Sequence, residues 1–392
     1  MIRYIDKYGT PDALFFSFEE NKYYAIWGFD EIYSISNNQI KDSNILFELQ
    51  NKINEWKSKS SENEIATVGF LSYDSKEIFF PKVNFKPIKS NGPILWFGKP
   101  KIVKKVDRDD LINLEYPKTF LNQMNGVPES LHYHEKINTI KKYLESGDVY
   151  QINYTQPMHY NSSCDSFYLY LSLLKSANPT FGAYLNIESN QYISMSPENF
   201  FTKKGKSISS SPIKGTRMRS SVKEVDEALK LELKKSQKDR AEHVMIVDLI
   251  RNDMGKICEF GSINTKNLFD IKSFNTIHHM VTDVTGNLNK DISEIDILKA
   301  LFPGGSITGA PKQRAIEIID QIENYSRGIY TGSMGVITNN GDMIFNIAIR
   351  TLTLENDQIE YPVGGGIVWD SDPDEERLEA IQKSKILDIY SL

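Results

Sequence analysis

Hydrophobic positions in the first 125 residues fall into short runs of strand length. The 13–18, 23–27, 65–73 and 92–97 segments are rich in aromatic and β-branched residues. Lys- and Asn-rich turns separate them, which predicts strands. The 45–56 stretch breaks that rhythm with an amphipathic spacing. The motif-poor 104–128 segment reads as a crossing. It divides a short β-rich N-terminal region, 1–125, from a larger domain at 130–392. Beyond it, 134–146 puts Ile137, Ile140, Tyr143 and Leu144 on one helical face, with Gly147 placed for a C-terminal cap. A strand is predicted at 150–157, and two helices across 222–257. A helix is predicted at 310–322, with Pro311 in its first turn. Further strands are predicted at 192–195, 334–338, 343–353 and 361–369. The last helix opens on Asp372, Pro373 and Glu375, which suit the N-cap, N1 and N3 positions of a capping box. Many strands with interspersed helices predict an α+β fold with largely antiparallel sheets.

Composition narrows the class. A chain of 392 residues with 40% hydrophobic and 25% charged residues can bury a large core, which excludes collagen, coiled coil and wholesale disorder. Lys plus Arg is 46 and Asp plus Glu is 52, so the formal charge is −6, which supports binding to neither nucleic acid nor anionic membrane. Two cysteines, Cys164 and Cys258, make a disulfide scaffold improbable and point to a reducing, cytoplasmic setting. The opening MIRYIDKYGTPD has no apolar core of a signal peptide, no run is apolar enough to span a bilayer, and the final DIYSL carries no lipidation motif.

The candidate chemistry is concentrated after residue 195. Lys214 lies between apolar neighbours and a Gly-Thr turn in Pro212-Ile213-Lys214-Gly215-Thr216. That setting suits a surface turn or a desolvated, nucleophilic lysine. Glu198 follows Ser196-Pro197. Asp239 and Glu242 stand at i, i+3 on one predicted helix, and Glu376 and Glu379 on another, so each pair shares a face. Lys383 returns to the face of Glu376. Two converging carboxylate pairs could hold a hard cation such as Mg²⁺, or be solvated helix faces. The 303–312 run PGGSITGAPK and Gly364-Gly365-Gly366 supply backbone N–H groups for an anion, or simply turns. Neither has the spacing of an ATP or NAD motif. His279 among apolar residues suits a core or a site, Arg350 at a strand end suits a carboxylate clamp or an ion pair, and Tyr330 between two glycines suits a ligand cap or packing.

Taken together and in order, these segments resemble the chorismate-utilising enzymes, the family of anthranilate synthase component I and aminodeoxychorismate synthase component I. The matching text is LESGDVYQINYTQP, SPENF, SSPIKGTRMR, AEHVMIVDLIRNDMGKI, HHMVTDVTG, LFPGGSITGAPKQRAIEIID, RGIYTGSMG, FNIAIRT and VGGGIVWDSDPDEERLEAIQKSK, from about residue 133 to the C-terminus. The resemblance implies that family's fold, with antiparallel sheets packed as a sandwich and helices around them. It implies a catalytic set of Lys214, Glu198 and His279. It implies Mg²⁺ held by Glu242 and Glu379, with Asp239 and Glu376 reaching metal-bound water. It implies substrate contacts at Gly215, Thr216, Ser306, Tyr330, Arg350, Gly364, Gly365, Gly366 and Lys383. Anthranilate synthases carry Ala where this chain has Lys214, so the resemblance points to the branch that makes 4-amino-4-deoxychorismate for 4-aminobenzoate and folate. There the lysine attacks C2 of chorismate as the C4 hydroxyl leaves. Anthranilate or isochorismate/salicylate formation, and a non-catalytic amidotransferase subunit, are the alternatives. Neither cysteine sits in a glycine-flanked nucleophile elbow, so ammonia is expected from solution or from a separate glutamine amidotransferase subunit. A separate pyridoxal-phosphate lyase is expected downstream.

Overall fold

Strands with no polar face turn out to be buried on both sides. Ala13–Phe16 and Ile65–Leu71 are buried at every position. In the computed structural model, which describes residues 1–59, 64–90, 92–117, 121–125, 130–273 and 277–387, their neighbours explain why. Ala13–Phe16 pairs with Lys22–Ile35 on one side and Phe181–Ile187 on the other. Ile65–Leu71 lies between Leu95–Asp107 and Ser333–Thr338. These pairings are antiparallel, and strands from 1–125 share the sheet with strands from 130–392. Successive side chains point to opposite faces of a strand. Accordingly Phe70, Trp96 and Ile344 enter one apolar core, while Leu71, Phe97 and Phe345 enter a second. The sheet therefore separates two cores, and helices pack around it. The fold is α+β, as expected.

Local signals place several elements well. Asp372 caps the helix Pro373–Ser384, its Oδ1 accepting from the N–H groups of Asp374 at 3.0 Å and Glu375 at 3.1 Å. After Ser130–Glu145, Gly147 takes φ +75°. Its N–H donates to Leu144 O at 3.1 Å, and the N–H of Asp148 donates to Tyr143 O at 3.0 Å. This double bond pattern satisfies the last carbonyls and needs a left-handed residue. The two helices expected across 222–257 are Lys223–Lys235 and Gln237–Gly255.

Other expectations are corrected. The 343–353 run is not one strand: it splits into Met343–Asn346 and Thr351–Glu355. The break comes just before Thr351, where Arg350 takes φ +49°, a left-handed conformation that interrupts regular strand pairing. Pro311 precedes its helix, which begins at Lys312, because Ala310 still pairs with Gln151. The 104–128 crossing holds the end of Leu95–Asp107, the short helix Arg108–Ile112 and Leu121–Asn125. Its positions 118–120 and 126–128 lie outside the described residues, as does the DIYSL ending. Helix Ser166–Ala177 escaped notice because Phe167 and Leu169 to Leu174 are all buried, so it shows no polar stripe. Cys164 and Cys258 are free thiols. No helix among the described residues is long and apolar enough to cross a membrane.

Candidate active site

Lys214 lies on strand Ile213–Met218, which pairs with Ile277–Asn287. Lys214 faces Met280 and Thr216 faces His279, so one residue, Gly215, bulges between them. Gly215 takes φ +69°, and a Cβ there would stand 2.7 Å from Leu233 and 2.9 Å from the Asp239 carboxylate. Only glycine fits, and the bulge re-aims Lys214 relative to the rest of its strand. The Lys214 charge acts on Glu198, Glu242, His243 and Glu379.

Glu198 is almost wholly buried, and Ser306 Oγ donates to its Oε1 at 2.8 Å. Burial pushes its carboxyl up to about 7, against the opposing pull of the Ser306 hydroxyl and the Lys214 ammonium. A carboxyl poised there can give or take a proton near neutral pH. His279 is buried, with Nδ1 3.0 Å from Thr216 Oγ1. Burial, then the Arg350 guanidinium, pushes its imidazole down to about 4. At neutral pH His279 is therefore uncharged and offers hydrogen bonds rather than a cation.

The two acid pairs do converge. Helix Gln237–Gly255 starts at Ser236, whose hydroxyl accepts from the Asp239 N–H at 3.2 Å. Arg217 Nη2 donates to Asp239 at 3.1 Å. Burial raises the Glu242 pKa, and the Glu376 and Asp239 carboxylates raise it further. Glu376 is buried and accepts from Ser371 Oγ at 2.7 Å, and burial with Glu379 beside it raises its pKa too. Glu379 is lowered instead, by Lys383 at 2.8 Å. Lys383 also donates to Gly364 O at 2.8 Å. The glycine strand runs directly beneath this helix: a Cβ at Gly365 would lie 3.5 Å from both Glu376 and Lys383. Gly364 has no room for one, at 2.1 Å from Tyr154 O.

Among the described residues no three His, Cys, Asp or Glu side chains enclose an ion by themselves. The donor set is all carboxylate oxygen, and Glu376 raises the proton affinity of Glu242 as Glu379 raises that of Glu376. Such a set fits a hard cation that takes few protein ligands and keeps other positions for water and substrate oxygens.

Arg350 and Tyr330 come to the same region. The Thr331 N–H donates to Ala348 O at 2.9 Å, tying the Tyr330 turn to the segment that carries Arg350. Both residues act electrostatically on Tyr361. Three further residues lie in or beside this region. Gln151 is fully buried, and among the described residues neither its Oε1 nor its Nε2 has a hydrogen-bond partner. Its amide lies about 3 Å from where a Gly366 Cβ would be. Only the packing of strand on strand shows that. Lys238 is Nζ 3.7 Å from Glu376 and adjoins Asp239, a signal visible as the i, i+4 spacing to Glu242. Arg327 is buried and donates to Asn153 O at 2.6 Å and to Glu323 Oε1 at 2.8 Å.

The family profile described as chorismate binding enzyme matches residues 10–388. Aminodeoxychorismate synthase component 1 of Escherichia coli (strain K12) is 42% identical over 251 residues, which cover 64% of this chain and 55% of that protein. Its counterpart in Bacillus subtilis (strain 168) is 41% identical, covering 64% and 54%. This chain thus spans about half the length of those relatives. Anthranilate synthase component 1 of Saccharolobus solfataricus is 33% identical, covering 82% of this chain and 79% of that one. The crystal structure of anthranilate synthase component I from Streptococcus pneumoniae TIGR4 superposes with a TM-score of 0.81 at 22% identity, over 94% of this chain and 92% of that one, which shows the shared fold. A match across nearly the whole chain, on a fold that brings both acid pairs, Glu198 and Lys214 to one place, establishes that this protein belongs to the chorismate binding enzyme family.

Proposed function

We propose that the chain is a transferase that converts chorismate and ammonia to 4-amino-4-deoxychorismate. The observation that carries this reading is the placement of Lys214 on a glycine bulge, within electrostatic reach of Glu198 and of both acid-bearing helices. Lys214, as the neutral amine, forms a bond to C2 while the C4–O bond breaks and both ring double bonds shift, from C1=C2 and C5=C6 to C1=C6 and C4=C5. Glu198, protonated, delivers its proton to the departing hydroxyl, which leaves as water. Ammonia then bonds to C4 as the C2–N bond breaks and Lys214 is released. Glu242 and Glu379 would hold Mg²⁺, with Asp239 and Glu376 on its water. When bound, the ion supplies charge for a chorismate carboxylate. Arg350, Tyr330, Lys383 and the backbone of Gly364 to Gly366 would orient the substrate, as would Gly215, Thr216 and Ser306. His279 would donate or accept a hydrogen bond as a neutral imidazole. Ammonia would come from a separate glutamine amidotransferase subunit, and a pyridoxal-phosphate lyase would consume the product.

The test is product identity. Purified chain with chorismate, ammonium and Mg²⁺ is expected to make 4-amino-4-deoxychorismate, identified by mass and by conversion with an added lyase. Glutamine should not replace ammonium, and excess EDTA should stop turnover. Anthranilate, isochorismate or salicylate as product would move the assignment within the family.

The pH profile follows from Glu198. Only the protonated carboxyl can donate, so kcat/KM is expected to fall as pH rises through about 7. The Ser306 hydrogen bond favours the ionised form. Ser306→Ala is therefore expected to move this limb to higher pH. A limb that stays in place or moves down would show that Glu198 is not the titrating acid.

A further inference from the structure

Lys238 joins the two acid-bearing helices. Its ammonium lies 3.7 Å from Glu376 Oε1 on the opposite helix, and it stands one turn before Glu242 on its own. Lys214 also acts on Glu242 and Glu379, from a strand rather than from either helix, and the other neighbouring charges are held more tightly than Lys238. Lys383 is fixed by two contacts of 2.8 Å, to Glu379 and to Gly364 O. Arg217 is fixed by Asp239 at 3.1 Å and Glu232 at 2.8 Å. The Lys238 contact is longer than a hydrogen bond, and its side chain is 46% exposed. The ammonium can therefore swing to solvent without disturbing the fold.

Carboxylates that face one another from two helices repel unless a cation sits between them. We infer that Lys238 is a displaceable internal counter-cation, which steadies the acid cluster when no metal is bound and competes with Mg²⁺ for it. The inference rests on the reading that Glu242 and Glu379 take Mg²⁺. A divalent ion gains from all four carboxylates, Asp239, Glu242, Glu376 and Glu379, and is repelled by an ammonium among them. The two cations thus share one pool of negative charge. Removing the ammonium should tighten Mg²⁺ binding and weaken the metal-free chain. General damage to the site would loosen the metal instead, so the sign of the change separates the two.

The experiment is calorimetric titration of MgCl₂ into the full chain, alongside thermal unfolding in EDTA and in Mg²⁺. Lys238→Met is expected to bind Mg²⁺ about tenfold more tightly, a figure discounted for exposure and salt. It should also melt lower than wild type in EDTA, with the gap closing as Mg²⁺ is added. Lys238→Arg keeps the charge and should stay near wild type in both. Equal or weaker Mg²⁺ binding by Lys238→Met, with wild type still binding the ion, overturns the role of Lys238 alone. A wild-type chain that binds no Mg²⁺ overturns the metal reading itself.

Discussion

On the proposed mechanism, replacing Lys214 by Ala is expected to slow formation of 4-amino-4-deoxychorismate by roughly 10³-fold or more, because the covalent route would be lost. In the proposed mechanism the side chain is a nucleophile, and it is also a charge in the middle of the site. Its ammonium lowers the proton affinity of Glu198 and Glu242, so its removal should raise both. Residual turnover must then come from direct attack of ammonia or water on the ring, and its alkaline limb should lie above the wild-type value of about 7. Chorismate should still bind, since the Arg350 and glycine-strand positions are untouched. Lys214→Arg should do no better, because a guanidinium stays protonated and cannot attack. Single-turnover rates and product identity for both variants check this. Wild-type rates of the same product from Lys214→Ala would make the lysine structural and end the covalent mechanism.

The second large effect is on stability. Arg327 is buried and uses all five of its N–H groups. Nε and Nη2 hold Glu323 at 2.8 Å each, Nη1 reaches Ile307 O at 3.0 Å and Thr331 Oγ1 at 3.1 Å, and Nη2 reaches Asn153 O at 2.6 Å. Glu323 in turn accepts from the N–H and the hydroxyl of Thr155, which pairs with Gly364. Arg327→Leu strands a buried carboxylate and two carbonyls. It is expected to cost about 3–5 kcal/mol, the range for removing one partner of a buried ion pair. Arg327→Leu combined with Glu323→Leu should recover part of that loss, because no charge is left alone. Urea unfolding measures both. A single-variant loss below about 1 kcal/mol would mean that water replaces the guanidinium, contrary to its burial.

The residues proposed to carry the chemistry sit beside local punctuation, which makes them legible in the sequence. Asp372-Pro373 marks a helix start, and the i, i+3 spacing puts Glu376 and Glu379 on one face whatever the rest of the fold does. Gly215 beside Lys214 announces a special backbone position. The strand breaks were less readable. Arg350 ends an apolar run that looks continuous, and its left-handed backbone appears only when Met195 N–H claims its carbonyl at 2.9 Å. Helix Ser166–Ala177 and strand Ile277–Asn287 carry little contrast between faces, since both faces of each are largely covered.

The sequence by itself determined, through a long run of collinear motifs, the family resemblance, and two kinds of local fact: which residues share a helix face and where helices begin and end. Each depends on neighbours a few positions apart. Only the tertiary structure decided the electrostatics. Glu198 is raised because strand and loop exclude water from it, and Glu376 is raised because the folded chain buries it. Nor could spacing show that Lys238 bridges to Glu376, 138 positions away, or that Arg327 is saturated by carbonyls of Asn153 and Ile307. Burial and charge pairing are sums over everything packed around a group, and the chain assembles those neighbours from distant segments only when it folds.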